Sequence, residues 1–293
     1  MSEIQSLYQV FLKSAGVNTD TRTIKPGEIF FALKGEHFNG NTYAAKSIED
    51  GALLAVIDEP QYAIEGKTML VPNVLKALQD LSAHHRNQFK GKVIALTGSN
   101  GKTTSKELLY AALSSQYQVH ATKGNLNNHI GVPLTLLGLK AHHELAIIEM
   151  GANHQKEIDS YCQWVRPDIG IITNIGKAHL EGFGGFQGVI KGKTELYRFI
   201  QTHGGVLWVN ADDPLLENQS ENISRVFYGK QNTLFSVEEI DASDLLQFRI
   251  LHQGKSYTIH TQLTGAYNLS NTILAIFAGL QFNITIDNIC LLY

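Results

Sequence analysis

The sequence predicts an α/β protein, with a small N-terminal α/β domain over residues 1–88 and a larger domain over residues 89–293 whose mainly parallel sheet is flanked by helices. Three observations predict it. From Lys92 onward, short apolar runs alternate with helical stretches, the pattern of strands joined by crossovers. Val93 to Thr104 passes from an apolar strand through a glycine-containing turn into a helix start. Upstream, a helix, a polar loop and a short strand form a separate pattern that decays into the polar stretch His84 to Lys92, which places the boundary near Phe89.

In chain order, Ile4, Leu7, Tyr8, Phe11 and Leu12 repeat at helical spacing, and the polar segment Thr19 to Gly27 leads into a strand from Ile29 to Leu33. Ala52 to Ile57 and Met69 to Val71 read as strands, and Val74, Leu75, Leu78 and Leu81 as the apolar stripe of a helix. The second domain should contain strands at Val93 to Thr97, Leu145 to Met150, Ile169 to Thr173 and Val206 to Val209, with helices after Lys102 and after Phe186. Leu245 to His252 and Ser256 to Gln262, joined around His252-Gln253-Gly254-Lys255, form an antiparallel hairpin expected to extend that sheet. The helix Leu269 to Gln281 is apolar on most sides and is expected to be buried.

Composition excludes several classes. With 24 Lys plus Arg against 27 Asp plus Glu, the net charge of −3 gives no electrostatic reason to expect a nucleic-acid partner. Cys162 and Cys290 have no metal-site or disulfide-framework spacing and read as ordinary buried thiols. No apolar run approaches the roughly 18 residues that span a bilayer, so a cytoplasmic protein without membrane contact is expected.

The segment Thr97-Gly98-Ser99-Asn100-Gly101-Lys102-Thr103-Thr104 has the parts of a phosphate cradle. Glycines let backbone N–H groups converge on phosphate oxygens, the helix N-terminus adds its positive end, Lys102 can reach terminal phosphates and Thr103 can ligate Mg²⁺. The common pattern GxxxxGKS/T would need glycine where this chain has Leu96, so the match is to a shortened form, TGxxGKTT. A Gly-Lys turn capping a helix is the plainer alternative; strand, turn and helix in the right order favour nucleotide binding.

Four later segments accompany the loop: Thr122 to Pro133 (TKGNLNNHIGVP), Glu149 to His154 (EMGANH), Thr173 to Glu181 (TNIGKAHLE) and Gly192 to Glu195 (GKTE). Together with TGSNGKTT, and in this order, they resemble the Mur ligases, the MurF branch in particular, over about Thr19 to Asn271. EMGA and AHLE look like MurF, whereas the branch that adds the third amino acid tends to show a Ser-Ser pair and Asp-His-Leu-Asp there.

By its own position, Glu149 ends an apolar strand where a carboxylate would sit at the ligand-binding edge of a parallel sheet. The resemblance makes it a Mg²⁺ ligand near the γ-phosphate and makes His179 a ligand of a second Mg²⁺, an uncommon donor for so hard an ion. It also makes Lys193 the lysine that CO₂ carbamylates, giving a carboxylate-like group that helps position Mg²⁺. Gly192 stands where the family has alanine, and Lys191 is a rival for the alignment; Glu195 and Leu196 follow Lys193 in the family's order. Asn125, Asn127 and Asn128 lie in a loop that by composition is a turn former and by resemblance faces the muramoyl-peptide. Asn268 resembles the adenine-contacting Asn, although Tyr267 replaces the usual His before it.

In the first domain, Thr21, Arg22 and Lys34 lie in segments, Thr19 to Arg22 and Phe30 to Gly35, that resemble the module binding the uridine diphosphate end of the substrate. Arg22 suits a pyrophosphate; a simple Asp20–Arg22 pair across a turn is the alternative. The resemblance implies an ATP-dependent ligase of cell-wall precursor synthesis, with ATP and Mg²⁺ as cofactors and CO₂ for the lysine carbamylation. It would join D-alanyl-D-alanine to UDP-N-acetylmuramoyl-tripeptide through an acyl phosphate, as a monomer. Lys102, Glu149, His179 and Lys193 would be its catalytic residues. After Gln281 only a short segment remains, so the family's C-terminal ligase domain is expected to be absent. The alternatives are a form that binds ATP and UDP-substrate with little or no turnover, a non-catalytic P-loop binding protein, and another Mur or folylpolyglutamate synthetase-like ligase.

Overall fold

The computed structural model describes residues 3–290. The first elements are α1 (Glu3–Phe11), β1 (Gly16–Asn18), β2 (Glu28–Phe31), β3 (Lys34–Gly35), β4 (Phe38–Asn39), α2 (Ala44–Glu49), β5 (Leu54–Ile57), β6 (Thr68–Leu70) and α3 (Val74–Arg86). There follow β7 (Lys92–Thr97), α4 (Lys102–Ser114), β8 (Val119–Ala121), α5 (Gly131–Leu137), β9 (Leu145–Glu149), α6 (Glu157–Val165), β10 (Ile169–Ile172), α7 (Leu180–Phe183), α8 (Phe186–Lys193) and α9 (Glu195–His203). The chain continues through β11 (Val206–Asn210), α10 (Pro214–Gln219), β12 (Arg225–Tyr228), β13 (Ser236–Asp241), β14 (Leu245–His252), β15 (Lys255–Thr264), α11 (Asn268–Gln281) and α12 (Ile286–Cys290).

Two compact units result. The first holds the chain up to Phe89 together with His129–Leu139; the second holds Lys90–Asn128 and everything from Lys140 onward. The segment carrying α5 therefore leaves the chain neighbours that the sequence pattern grouped it with.

In the first unit, β1, β2, β5 and β6 form a parallel sheet in the order β1-β2-β5-β6. Alternation along β2 decides what each face meets. Ile29 and Phe31 pack with Leu7, Phe11, Leu78 and Leu81 of α1 and α3 and with Leu137 of α5. Phe30 and Ala32 pack with Ala44 of α2, Ala55 and Ile57. The side chain of Asn73 caps α3 by accepting the Lys76 N–H, which explains why the helix begins there.

The second unit is built on a six-stranded, wholly parallel sheet in the order β12-β11-β10-β7-β9-β8. Strands β7, β9 and β10 are buried almost throughout, as continuous apolar runs in a sheet covered on both faces must be. Ile94 and Leu96 pack with Leu109 and Leu113 of α4 and with Ile273, Leu274 and Phe277 of α11. On the other face, a Cβ at Gly170 would touch Leu196 and Ile200 of α9. Sequential strands leave β7 toward β8 and β9 on one side and then toward β10 on the other, so the strand order reverses at β7, where such sheets bind ligands beyond the strands' carboxyl ends.

The hairpin β14–β15 forms as expected but does not extend the parallel sheet. It pairs with β13 in a separate three-stranded antiparallel sheet. The reason lies in its alternation: Leu246, Phe248 and Ile250 are buried on one face and join the same apolar core as α11, so the hairpin covers the core face-on. Helix α11 is buried as expected, although Asn268, Asn271 and Thr272 in its first turns are buried polar groups. Cys162 is a buried free thiol whose pKa burial pushes up; the side chain of Cys290 lies outside the described residues. No helix among the described residues is long and apolar enough to cross a membrane.

Candidate active site

The turn after β7 is shaped by two glycines. At Gly98, φ is +151° and a Cβ would lie 2.0 Å from the Thr173 hydroxyl; at Gly101, φ is +75° and a Cβ would lie 2.9 Å from Asn271 Oδ1. No other residue fits either place without displacing its neighbour. The turn is braced by the segment after β10. Ser99 N–H donates to the Asn174 carbonyl at 3.0 Å, Asn100 N–H donates to Asn174 Oδ1 at 3.0 Å, and the Thr173 hydroxyl donates to the Asn100 carbonyl at 2.7 Å. These bonds explain why TGSNGKTT and TNIG occur together. Gly101 caps α4, whose first four N–H groups have no acceptor within the helix and can face an anion. The Lys102 ammonium curls back to donate to the Gly98 carbonyl at 2.9 Å and the Ser99 carbonyl at 3.3 Å. Burial lowers its pKa, against the pull of Glu149.

Register places the carboxylate. Leu96 of β7 pairs with Glu149 of β9, and Thr97 pairs with Ile172 of β10, so Glu149 ends its strand level with the start of the turn. Glu149 is 1% exposed. Its Oε1 accepts from Asn127 Nδ2 at 2.7 Å and from the Thr103 hydroxyl at 3.3 Å, and its backbone N–H donates to the Thr122 hydroxyl at 2.9 Å. Oε2 is buried with no hydrogen-bond partner. An orphaned carboxylate oxygen beside a hydroxyl is what a hard divalent cation binds, and a buried charge without such a partner is costly. Among the described residues no group of three or more His, Cys, Asp or Glu could hold a metal. A Mg²⁺ at Glu149 and Thr103 would therefore complete its shell with phosphate oxygens and water, as this ion commonly does.

Lys193, at the end of α8, is 2% exposed. Its ammonium donates to the Ala152 carbonyl at 3.1 Å and lies 5.2 Å from the centre of the Phe183 ring. Burial first, and the nearby Lys102 second, bring its pKa from 10.5 to about 8, with Glu157 and Glu195 opposing. Lys191 is exposed, so of the two candidate lysines only Lys193 is interior. The glycine preceding it has a physical reason, because a Cβ at Gly192 would lie 2.4 Å from the Phe183 ring. Glu195 caps α6 from outside, accepting the N–H groups of Lys156 at 2.6 Å and Asp159 at 3.0 Å.

Other expected residues are placed differently. His179 is exposed, with φ +54°, at the start of α7, and shares no hydrogen bond with Glu149 or Lys193. Asn125 and Asn128 are exposed, whereas Asn127 turns its amide onto Glu149. Asn268 begins α11; its Nδ2 donates to the Thr264 carbonyl at 2.9 Å and its Oδ1 accepts from Asn271, whose own Oδ1 accepts from Ser105 on α4. Thr104, within the first turn of α4, is half-buried. Thr122, Thr173, Asn174 and Asn271 carry this framework and had no role assigned from sequence; their only sequence signal was membership of the quoted motifs.

In the first unit, Thr21 opens a 3₁₀ turn and Arg22 pairs with Asp20, Nη2 to Oδ2 at 2.6 Å. The guanidinium holds the Asp20 carboxyl down at about 2. This is the pairing across a turn that the sequence left open. Lys34 is 2.9 Å from both Asp58 and Glu59. Both cations are thus neutralised locally, and an anionic ligand would have to exchange with these carboxylates.

Known protein families match both parts of the chain. Residues 96–279 match the Mur ligase middle domain, and residues 13–86 match the Mur ligase family, catalytic domain. The chain is 34% identical over 272 residues to the UDP-N-acetylmuramoyl-tripeptide--D-alanyl-D-alanine ligase of Bacillus subtilis, covering 92% of this chain and 59% of that protein. It is 35% identical over 283 residues to the same-named ligase of Escherichia coli, covering 93% and 61%. The crystal structure I of MurF from Acinetobacter baumannii superposes with a TM-score of 0.84 at 32% identity, covering 98% of this chain and 66% of that one. An ADP complex of MurF from Thermotoga maritima, at 24% identity and TM-score 0.82, shares the fold. The chain spans about three-fifths of the length of the curated relatives it matches.

Proposed function

The chain belongs to the Mur ligase family, and from that premise we propose that it acts in the ATP-dependent joining of D-alanyl-D-alanine to UDP-N-acetylmuramoyl-tripeptide, a step of peptidoglycan precursor synthesis. The observation that carries this reading is the orphaned Oε2 of Glu149, buried beside a phosphate loop in which Lys102 and Thr103 start the helix. The names of the relatives at 34% and 35% identity support the choice of substrates.

The chemistry runs in two balanced steps. A carboxylate oxygen of the tripeptide attacks the γ-phosphorus of ATP, and ADP leaves with the electron pair of the broken P–O bond, giving an acyl phosphate. The amine of D-alanyl-D-alanine then attacks the acyl carbon; phosphate leaves and the amine proton passes to solvent or base. Both steps gather negative charge among phosphates, so catalysis is largely positioning and charge neutralisation. The turn from Thr97 to Thr104 would hold the phosphates through backbone N–H groups, with Lys102 against their charge. Glu149 and Thr103 would hold Mg²⁺, which supplies charge neutralisation at the phosphates. Lys193 suits CO₂ addition because its pKa of about 8 raises the fraction of neutral amine, the form that reacts; carbamylated, it would supply a carboxylate-like group that helps position Mg²⁺. His179 would serve a second Mg²⁺, and Asn268 the adenine. Thr21, Arg22 and Lys34 would take the uridine diphosphate end, and Asn125, Asn127 and Asn128 the muramoyl-peptide side. The same reading makes the protein a cytoplasmic monomer with small-molecule substrates and no nucleic-acid partner; its net charge of −3 supports the last.

The test is phosphate release from ATP with Mg²⁺, bicarbonate, UDP-N-acetylmuramoyl-tripeptide and D-alanyl-D-alanine, each omitted in turn. Release that requires both substrates, with pentapeptide product, is expected. ATP binding without any substrate-dependent release would overturn the ligase reading for this chain.

A further inference from the structure

One buried cation that this chemistry leaves unused is Lys106. It lies on α4, four residues after Lys102 and three after Thr103, and is 1% exposed. Its ammonium donates to the Thr122 carbonyl at 2.8 Å and lies 2.7 Å from Glu107 Oε1. Thr122 is itself tied to β9: its N–H donates to the Ile147 carbonyl at 3.0 Å, and its hydroxyl accepts the Glu149 N–H at 2.9 Å. One turn earlier on the same helix, the Thr103 hydroxyl donates to Glu149 Oε1 at 3.3 Å. Helix α4 therefore grips Glu149 twice, at the carboxylate through Thr103 and at the backbone through Lys106 and Thr122.

Packing alone does not call for an ammonium here, since burying one is costly and an apolar side chain of similar volume commonly does as well or better. What lysine adds is a charged donor on a long stem that can span from a helix to the end of an edge strand. We propose that Lys106 is a positioning residue that sets the distance between the phosphate-loop helix and Glu149, keeping the cation-facing oxygen in register with the phosphates. Misplacement of such groups by about an ångström is enough to lose much of their effect. The inference rests on Glu149 as the cation carboxylate.

The experiment is calorimetric titration of the full chain with a non-hydrolysable ATP analogue, with Mg²⁺ or with EDTA. The proteins are wild type, Lys106→Met, Thr122→Val, Glu149→Gln and the Lys106→Met/Glu149→Gln double variant. Lys106→Met should bind the analogue in EDTA as wild type does and lose about tenfold of the affinity gained with Mg²⁺, the size expected for one misplaced contact. Thr122→Val should reproduce that loss, and it carries the test if Lys106→Met does not fold. Glu149→Gln should lose the Mg²⁺ gain, and the double variant should lose no more than Glu149→Gln. An unchanged Mg²⁺ gain in a folded Lys106→Met or Thr122→Val protein overturns the proposal. So does an equal loss with and without Mg²⁺, which a merely structural lysine would give, or additive losses in the double variant. An unchanged gain in Glu149→Gln refutes the cation reading of Glu149 itself, separately from Lys106.

Discussion

Replacing Lys193 by methionine should change stability in a way that depends on pH with a definite sign. The variant keeps the side-chain length and loses the ammonium. In the folded protein the Lys193 pKa of about 8 lies below the ordinary 10.5, so between those values the unfolded chain binds more protons and stability rises with pH. The fall corresponds to a penalty of roughly 3 kcal/mol, fully present below pH 8 and relieved as pH rises toward 10.5. From pH 7 to pH 9 the wild-type protein should therefore gain roughly 1 kcal/mol relative to Lys193→Met. Differences in packing or in the bond to Ala152 shift the variant by an amount common to both pH values, so the change between them is diagnostic. Urea unfolding in CO₂-free buffer, followed by tryptophan fluorescence, measures it. The chain has two tryptophans, Trp164 and Trp208, and both lie in the second unit, so the signal reports the unit that holds Lys193. A stability difference that stays constant from pH 7 to pH 9, or that moves toward the variant, would refute the burial argument. Added bicarbonate should stabilise only the wild type if the neutral amine takes up CO₂.

Three further outcomes are expected. Gly98→Ala, whose Cβ would lie 2.0 Å from the Thr173 hydroxyl, should lose at least about 2 kcal/mol of stability and all measurable binding of the ATP analogue; binding at wild-type affinity would mean the turn is not the phosphate site. Asn127→Ala removes a donor 2.7 Å from Glu149 Oε1 and should destabilise the second unit by about 1.5 to 3 kcal/mol in urea, whereas an unchanged midpoint would show that water replaces the amide. Arg22→Ala breaks an exposed pair and should leave the unfolding midpoint unmoved while weakening UDP-substrate binding about tenfold. Unchanged affinity would remove Arg22 from the substrate site.

Much of this molecule follows from local pattern. Apolar runs marked β2, β7, β9 and β10 because strands covered on both faces have no polar side. Helix α11 was legible from its apolar surface. A signal for α6 also exists in the helical spacing of Ile158, Tyr161, Cys162 and Val165, although no element was assigned there. Short edge strands such as β1 and β8, each of three residues, have too little sequence to show a period. The turn after β7 was legible because its glycines, lysine and threonine, the parts of a phosphate cradle, occupy adjacent positions in the chain.

Thus the sequence by itself determined the α/β class, the glycine-containing turn between β7 and α4, and the resemblance to the Mur ligases. Tertiary structure alone decided what those motifs touch. Asn127 meets Glu149 across 22 residues, Thr103 across 46, and Thr173 braces Asn100 across 73. It also decided that His129–Leu139 joins the first unit, that β14–β15 pairs with β13, and that Phe183 leaves room only for glycine at 192. The physical reason is that periodicity reports which face of an element is buried, whereas these contacts depend on strand order and register, which are set only when the whole sheet is assembled.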